Sequence, residues 1–78
     1  MPGLATRFGA VRGYFLDHVG VHNYMAVFTA LDPALTAHAE LIQQWWNSRR
    51  AVLPEHEPVI ARMEGVVELV KNARNLAA

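Results

Sequence analysis

The stretch Asp32–Arg50, DPALTAHAELIQQWWNSRR, carries a helix start, a helical periodicity and a helix end in one run. An aspartate accepts hydrogen bonds from the free amides of a first helical turn, and proline suits the first position because its missing N–H has no partner there. Asp32-Pro33 therefore predicts a helix start. Beyond it Leu35, Ala39, Ile42, Trp45, Trp46 and Arg49 recur at helical spacing, with Glu40, Gln43, Gln44 and Asn47 on the other side. Arg49 and Arg50 close the run, where cations complement the partial negative charge of a helix C-terminus.

Before this joint, Tyr24 to Leu31 is apolar nearly all round, so an element there must be buried on several sides. Asn23 is a candidate cap for its start. Gly20 followed by Val21 fits a helix C-cap with its apolar contact, which would separate a first helix from a second; one kinked, continuous helix is the competing reading. The first helix spans about Leu4 to Val19, with Leu4, Phe8, Val11 and Phe15 on one face. Beside that stripe lie Ala5, Gly9 and Gly13. Glycine costs a helix about 1 kcal/mol relative to alanine, so this line of small residues predicts the close approach of a neighbouring backbone, from the same chain or from another.

After the joint, Ala51 to Glu57 reads as a loop, and Pro58 suits the first turn of a last helix. Glu55 and Glu57 place negative charge near that helix start. Met63, Val66, Val70, Ala73 and Ala77 then form the most regular apolar stripe in the chain, with Ile60 and Val67 beside it. The expected architecture is all-α, a small bundle of three to four helices in one domain over residues 1–78, with the third and fourth helices packed antiparallel.

Composition bounds the function. A chain of 78 residues has room for one core, and small domains of this kind are commonly reinforced by disulfides, a metal or association. With no cysteine, disulfides, thiol catalysis and thiolate zinc sites are excluded. The charged fraction is 18%, against roughly 25% for an average soluble domain, a sparse coat that favours covering part of the surface with another chain. Seven basic and seven acidic residues cancel, and no run of like charge forms a basic stripe, which weighs against nucleic acid as the main ligand. Met1-Pro2-Gly3-Leu4 lacks the features of a secretory leader. The weakly polar stretch Tyr14 to Leu31 holds Asp17, His18, His22 and Asn23, so no membrane span is expected and a cytoplasmic location is the default.

Chemistry-bearing motifs are few. His18 and His22 share a face only if the helix continues through Gly20, and no third metal ligand stands at a recognisable spacing. Glu55, His56 and Glu57 offer acid–base groups, but alternate residues in a proline-bounded loop point in different directions. No catalytic residue, metal or cofactor is assigned. Helix two, the Asp32-Pro33 joint and helix three can also be read as a helix-turn-helix, yet Thr36, Ala37 and Glu40 at the start of its second helix offer no side chain that commonly reads base edges.

Trp45-Trp46 remains the most informative pair. Adjacent residues on a helix differ by about 100° in direction, so one indole can enter the core while the other lies at its edge. Tryptophan and arginine dominate interface hot spots. The expectation is a non-enzymatic structural or adaptor subunit, working through helix–helix contacts in a homo-oligomer or larger complex. Its candidate interface residues are Trp45, Trp46, Arg49, Ala5, Gly9 and Gly13; a DNA-binding regulator and a histidine metal module are the alternatives. The competing reading of the tryptophan pair is that both indoles fill the core.

Overall fold

A computed structural model describes residues 2–77. Among them lie four α-helices and no strand: α1 (Leu4–His18), α2 (Tyr24–Leu31), α3 (Ala39–Trp46) and α4 (Glu57–Ala77). Short 3₁₀ turns precede the last three, at Val21–Asn23, Pro33–His38 and Pro54–His56. The all-α expectation holds.

Gly20 separates the first two helices. Its φ of 107° is open to glycine and strained for other residues, and its amide, like that of Val19, donates to the Phe15 carbonyl. The continuous-helix alternative is thereby removed. Asn23, by contrast, makes no side-chain cap; its backbone amide turns to the Gly20 carbonyl instead. The Asp32-Pro33 joint behaves as its chemistry requires, with Asp32 Oδ1 accepting from the Ala34 amide at 3.2 Å and Arg62 donating to the same oxygen at 2.8 Å.

The third helix ends earlier than its periodicity indicates, at Trp46 rather than Arg50. Ser48 takes a left-handed conformation with φ 61°. Its amide donates to the Trp45 carbonyl and that of Arg49 to the Gln44 carbonyl, a reciprocal pair that seals a helix C-terminus in the manner usually reserved for glycine. Because α3 is this short, the expected antiparallel pair of long helices does not form. The most extensive pairing is α1 with α4.

These two helices run parallel. Arg7 pairs with Glu64, the Lys71 ammonium lies 5.3 Å from the Tyr14 ring centre, and Arg74 donates to the His18 carbonyl, so residue numbers rise together along both. α2 returns antiparallel to α4, since it starts after Gly20 near Arg74 and ends at Asp32 beside Arg62.

One apolar cluster fills the space between the helices: Phe8, Val11 and Phe15 from α1, Phe28 from α2, Leu35, then Ile42, Trp45 and Trp46 from α3, and Val59, Ile60, Met63, Val66 and Val67 from α4. Both predicted stripes thus face inward over most of their length. Ala73 is exposed, as is every residue from Lys71 to Leu76, although Lys71 and Arg74 still reach Tyr14 and His18 at the end of α1. The side chains of Ala77 and Val21 lie outside those described.

Candidate functional site

The small-residue face of α1 and the tryptophan pair converge on one groove. Ala5, Gly9 and Arg12 form one wall, Ser48, Arg49 and Arg50 the other, and Phe8, Trp45 and Val52 the floor of a depression of about 470 Å³. Four of the six residues proposed from sequence, Ala5, Gly9, Trp45 and Arg49, therefore meet here.

Gly9 does not serve close packing within this chain. A methyl group built on Gly9 would meet no atom within 4 Å, and the same holds at Gly13. The expected backbone neighbour is absent among the described residues, which leaves a bare turn of helix facing outward. Gly13 stands on the same line but outside the groove.

The tryptophans correct a second expectation. Both are 2% exposed, so neither lies at the edge as a protruding anchor. α3 is flanked on both sides: Trp46 stacks on Tyr24 with ring centres 4.0 Å apart and meets Phe8, Phe15 and Phe28 edge-on. Trp45 meets Phe8 and the His56 ring, and its indole N–H donates to the Ala51 carbonyl at 3.3 Å. That bond ties the loop after α3 to the floor of the groove.

Arg12 is the residue that sequence reasoning left out of the site. Its Nε donates to the Trp46 carbonyl at 3.0 Å, satisfying a free group in the last turn of α3, and its guanidinium carbon lies 5.7 Å from the Trp46 ring centre. The bond holds a half-buried guanidinium in place while its two terminal amino groups remain for another acceptor. One signal was legible: Arg12 stands seven residues after Ala5, nearly two full turns, and so shares its face. Its partner on α3 was not.

Charge is distributed unevenly. Arg7 donates from Nε to Glu64 at 3.0 Å and lies 3.6 Å from Glu57, Arg62 pairs with Asp32, and Lys71 with Glu68. Glu64 is held below the usual carboxylate range, chiefly by its hydrogen bond to Arg7, which outweighs the opposing effect of desolvation and is reinforced by the Arg7 charge. Among the described residues no carboxylate pairs with Arg12, Arg49 or Arg50, and none lines their groove.

The other motifs resolve into local structure. His18 stacks on Tyr14 and shares a hydrogen bond with the Tyr14 carbonyl. His22 follows the break at Gly20. Nδ1 of His56 accepts from the Leu53 amide at 3.2 Å, so this ring closes the turn before α4 and does not join Glu55 and Glu57 in an acid–base site. Among the described residues no three histidine or acidic side chains gather closely enough to hold a metal ion. No helix among them is long and apolar enough to cross a membrane.

Comparison with family models, with curated proteins and with solved structures returns no match for this chain.

Proposed function

We propose that this chain is a non-enzymatic interaction subunit that receives a helix of another protein chain in the groove between α1 and the loop after α3. The observation that carries this reading is the bare, exposed face at Ala5 and Gly9, beside three arginines that no carboxylate among the described residues pairs with. Helix–helix contact at close range needs small residues on at least one partner, and a groove with a positive rim supplies orientation as well as contact. Glycine at an exposed helical position sacrifices stability without any compensating contact inside the chain. A partner that approaches the backbone there supplies the compensation.

The test is the absolute mass of the chain in solution and after cross-linking in a native extract, for the parent and for Gly9→Leu. The parent is expected in a species heavier than one chain, alone or in the extract. Gly9→Leu is expected to lose that species while keeping its helical circular dichroism, since Gly9 is exposed and a Cβ added there meets no atom within 4 Å. A parent that stays monomeric in both settings sinks the proposal.

A further inference from the structure

We infer that the occupant of this groove is an acidic helix of a different protein, not a second copy of this chain; the inference rests on the interaction reading above and assigns its partner. The argument starts from charge. Arg12, Arg49 and Arg50 face one depression that no carboxylate lines. In a two-fold dimer the same patch lies on both sides of the interface, so a dimer through this groove would bring cationic rim against cationic rim. Like charges juxtaposed across an interface oppose association, and with seven basic and seven acidic residues the chain has no net field to offset this.

The geometry of Arg12 specifies the group received. Its Nε is already committed to the Trp46 carbonyl, so the planar fork of terminal amino groups is fixed. Such a fork matches the two oxygens of a carboxylate, and less side-chain freedom is lost on binding than from an untethered arginine. Ala5 and Gly9, one turn apart, let a helix backbone come close to α1. An approaching helix with glutamates one turn apart and an apolar residue between them meets Arg12, the Arg49-Arg50 pair and the Val52 floor together.

A nucleic acid fits these features less well. Three cations give few phosphate contacts and correspondingly weak, salt-sensitive binding. The aromatic rings in the groove, Phe8 and Trp45, are 7% and 2% exposed and offer no free face for a base to stack on.

The experiment titrates the full chain, labelled for amide chemical shifts, with a synthetic alanine–leucine helix carrying glutamates four residues apart. The same helix with lysines and an oligothymidylate are the comparison arms. The glutamate helix is expected to shift the amides of Gly9, Arg12 and the Ser48–Ala51 segment. The lysine helix is expected to bind at least about tenfold more weakly, as is the glutamate helix to an R49E/R50E variant. Both arginines are exposed, so that variant keeps the fold even if Arg12→Gln, which also uncaps α3, does not.

Equal affinity for the glutamate and lysine helices, no binding of either, or tighter binding of the oligothymidylate would overturn the assignment. Shifts centred on another surface, or self-association of the chain that Gly9→Leu abolishes, would also overturn it. Self-association of that kind leaves the broader interaction reading standing, whereas shifts on another surface count against the groove itself. A parent chain monomeric in every setting removes both.

Discussion

Trp46 stacks on or meets four other aromatic rings drawn from two neighbouring helices, yet its indole N–H is buried without an acceptor. The ring therefore contributes through area and shape, and Trp46→Ala is expected to cost about 3–5 kcal/mol as a large-to-small core change. Urea denaturation should show this loss at every protein concentration, because the site lies inside one chain. A loss that vanished at high concentration would place Trp46 in an interface instead. Ser48 presents the opposite case, a residue whose conformation works against stability. A left-handed conformation costs an L-residue roughly 1–2 kcal/mol, and glycine gives back about 0.4–1 kcal/mol through its freer unfolded chain. Ser48→Gly should thus stabilise the protein by about 0.5–1 kcal/mol, and an unchanged denaturation midpoint would contradict the cap geometry.

At the scale of elements, the α1–α4 pair depends on two separate features. Along one side, Arg7 and Glu64 join the helices, and the carboxyl of Glu64 is held below its ordinary value by that bond. A depressed carboxyl adds stability that is present above the unfolded value, about 4.3 for glutamate, and is lost as pH falls through the folded one. The melting temperature of the parent should therefore exceed that of Glu64→Gln at neutral pH, and the gap should close in acid. A gap that persisted well below the folded value would assign the difference to packing. Along the outer side of α1, Gly9 stands exposed with no neighbour, so Gly9→Ala should stabilise the free chain by about 1 kcal/mol. Destabilisation on thermal melting would mean that the helix is closely packed there after all. The elements differ in how far local sequence revealed them. Asp32-Pro33, Gly20 and the Phe8-Val11-Phe15 stripe were legible because cap, turn and periodicity are written in neighbouring residues. The early end of α3 was hidden, since serine rarely takes the conformation that Ser48 adopts. The parallel pairing of α1 with α4 and the bond from Arg12 to Trp46 join positions far apart in sequence, which no local pattern encodes.

For the whole molecule, the arrangement of charge is the consequence of all these packings. Ion pairs elsewhere use Arg7, Arg62 and Lys71 beside carboxylates, whereas the groove collects three arginines and none of the acids. A net charge of zero hides this separation, because Arg12 and Arg49-Arg50 meet only after α1 and the loop beyond α3 have folded together. The core is complete without a partner, since Phe15, Phe28, Leu35, Ile42, Ile60 and Met63 are fully enclosed by the chain itself. Binding in the groove then acts by mass action on a preformed fold. A ligand that binds only the folded chain, at ten times its dissociation constant, adds about 1.4 kcal/mol. For a domain of this size that corresponds to a rise in Tm of roughly 6–11 °C. Without ligand, Tm should be indifferent to dilution, because the groove repels its own copy. With the glutamate helix Tm should rise by that amount in the parent and hardly move in R49E/R50E, as scanning calorimetry can show. A parent whose Tm instead climbed with its own concentration, and was insensitive to the glutamate helix, would mean that the surface it buries is a different one and that the partner is itself.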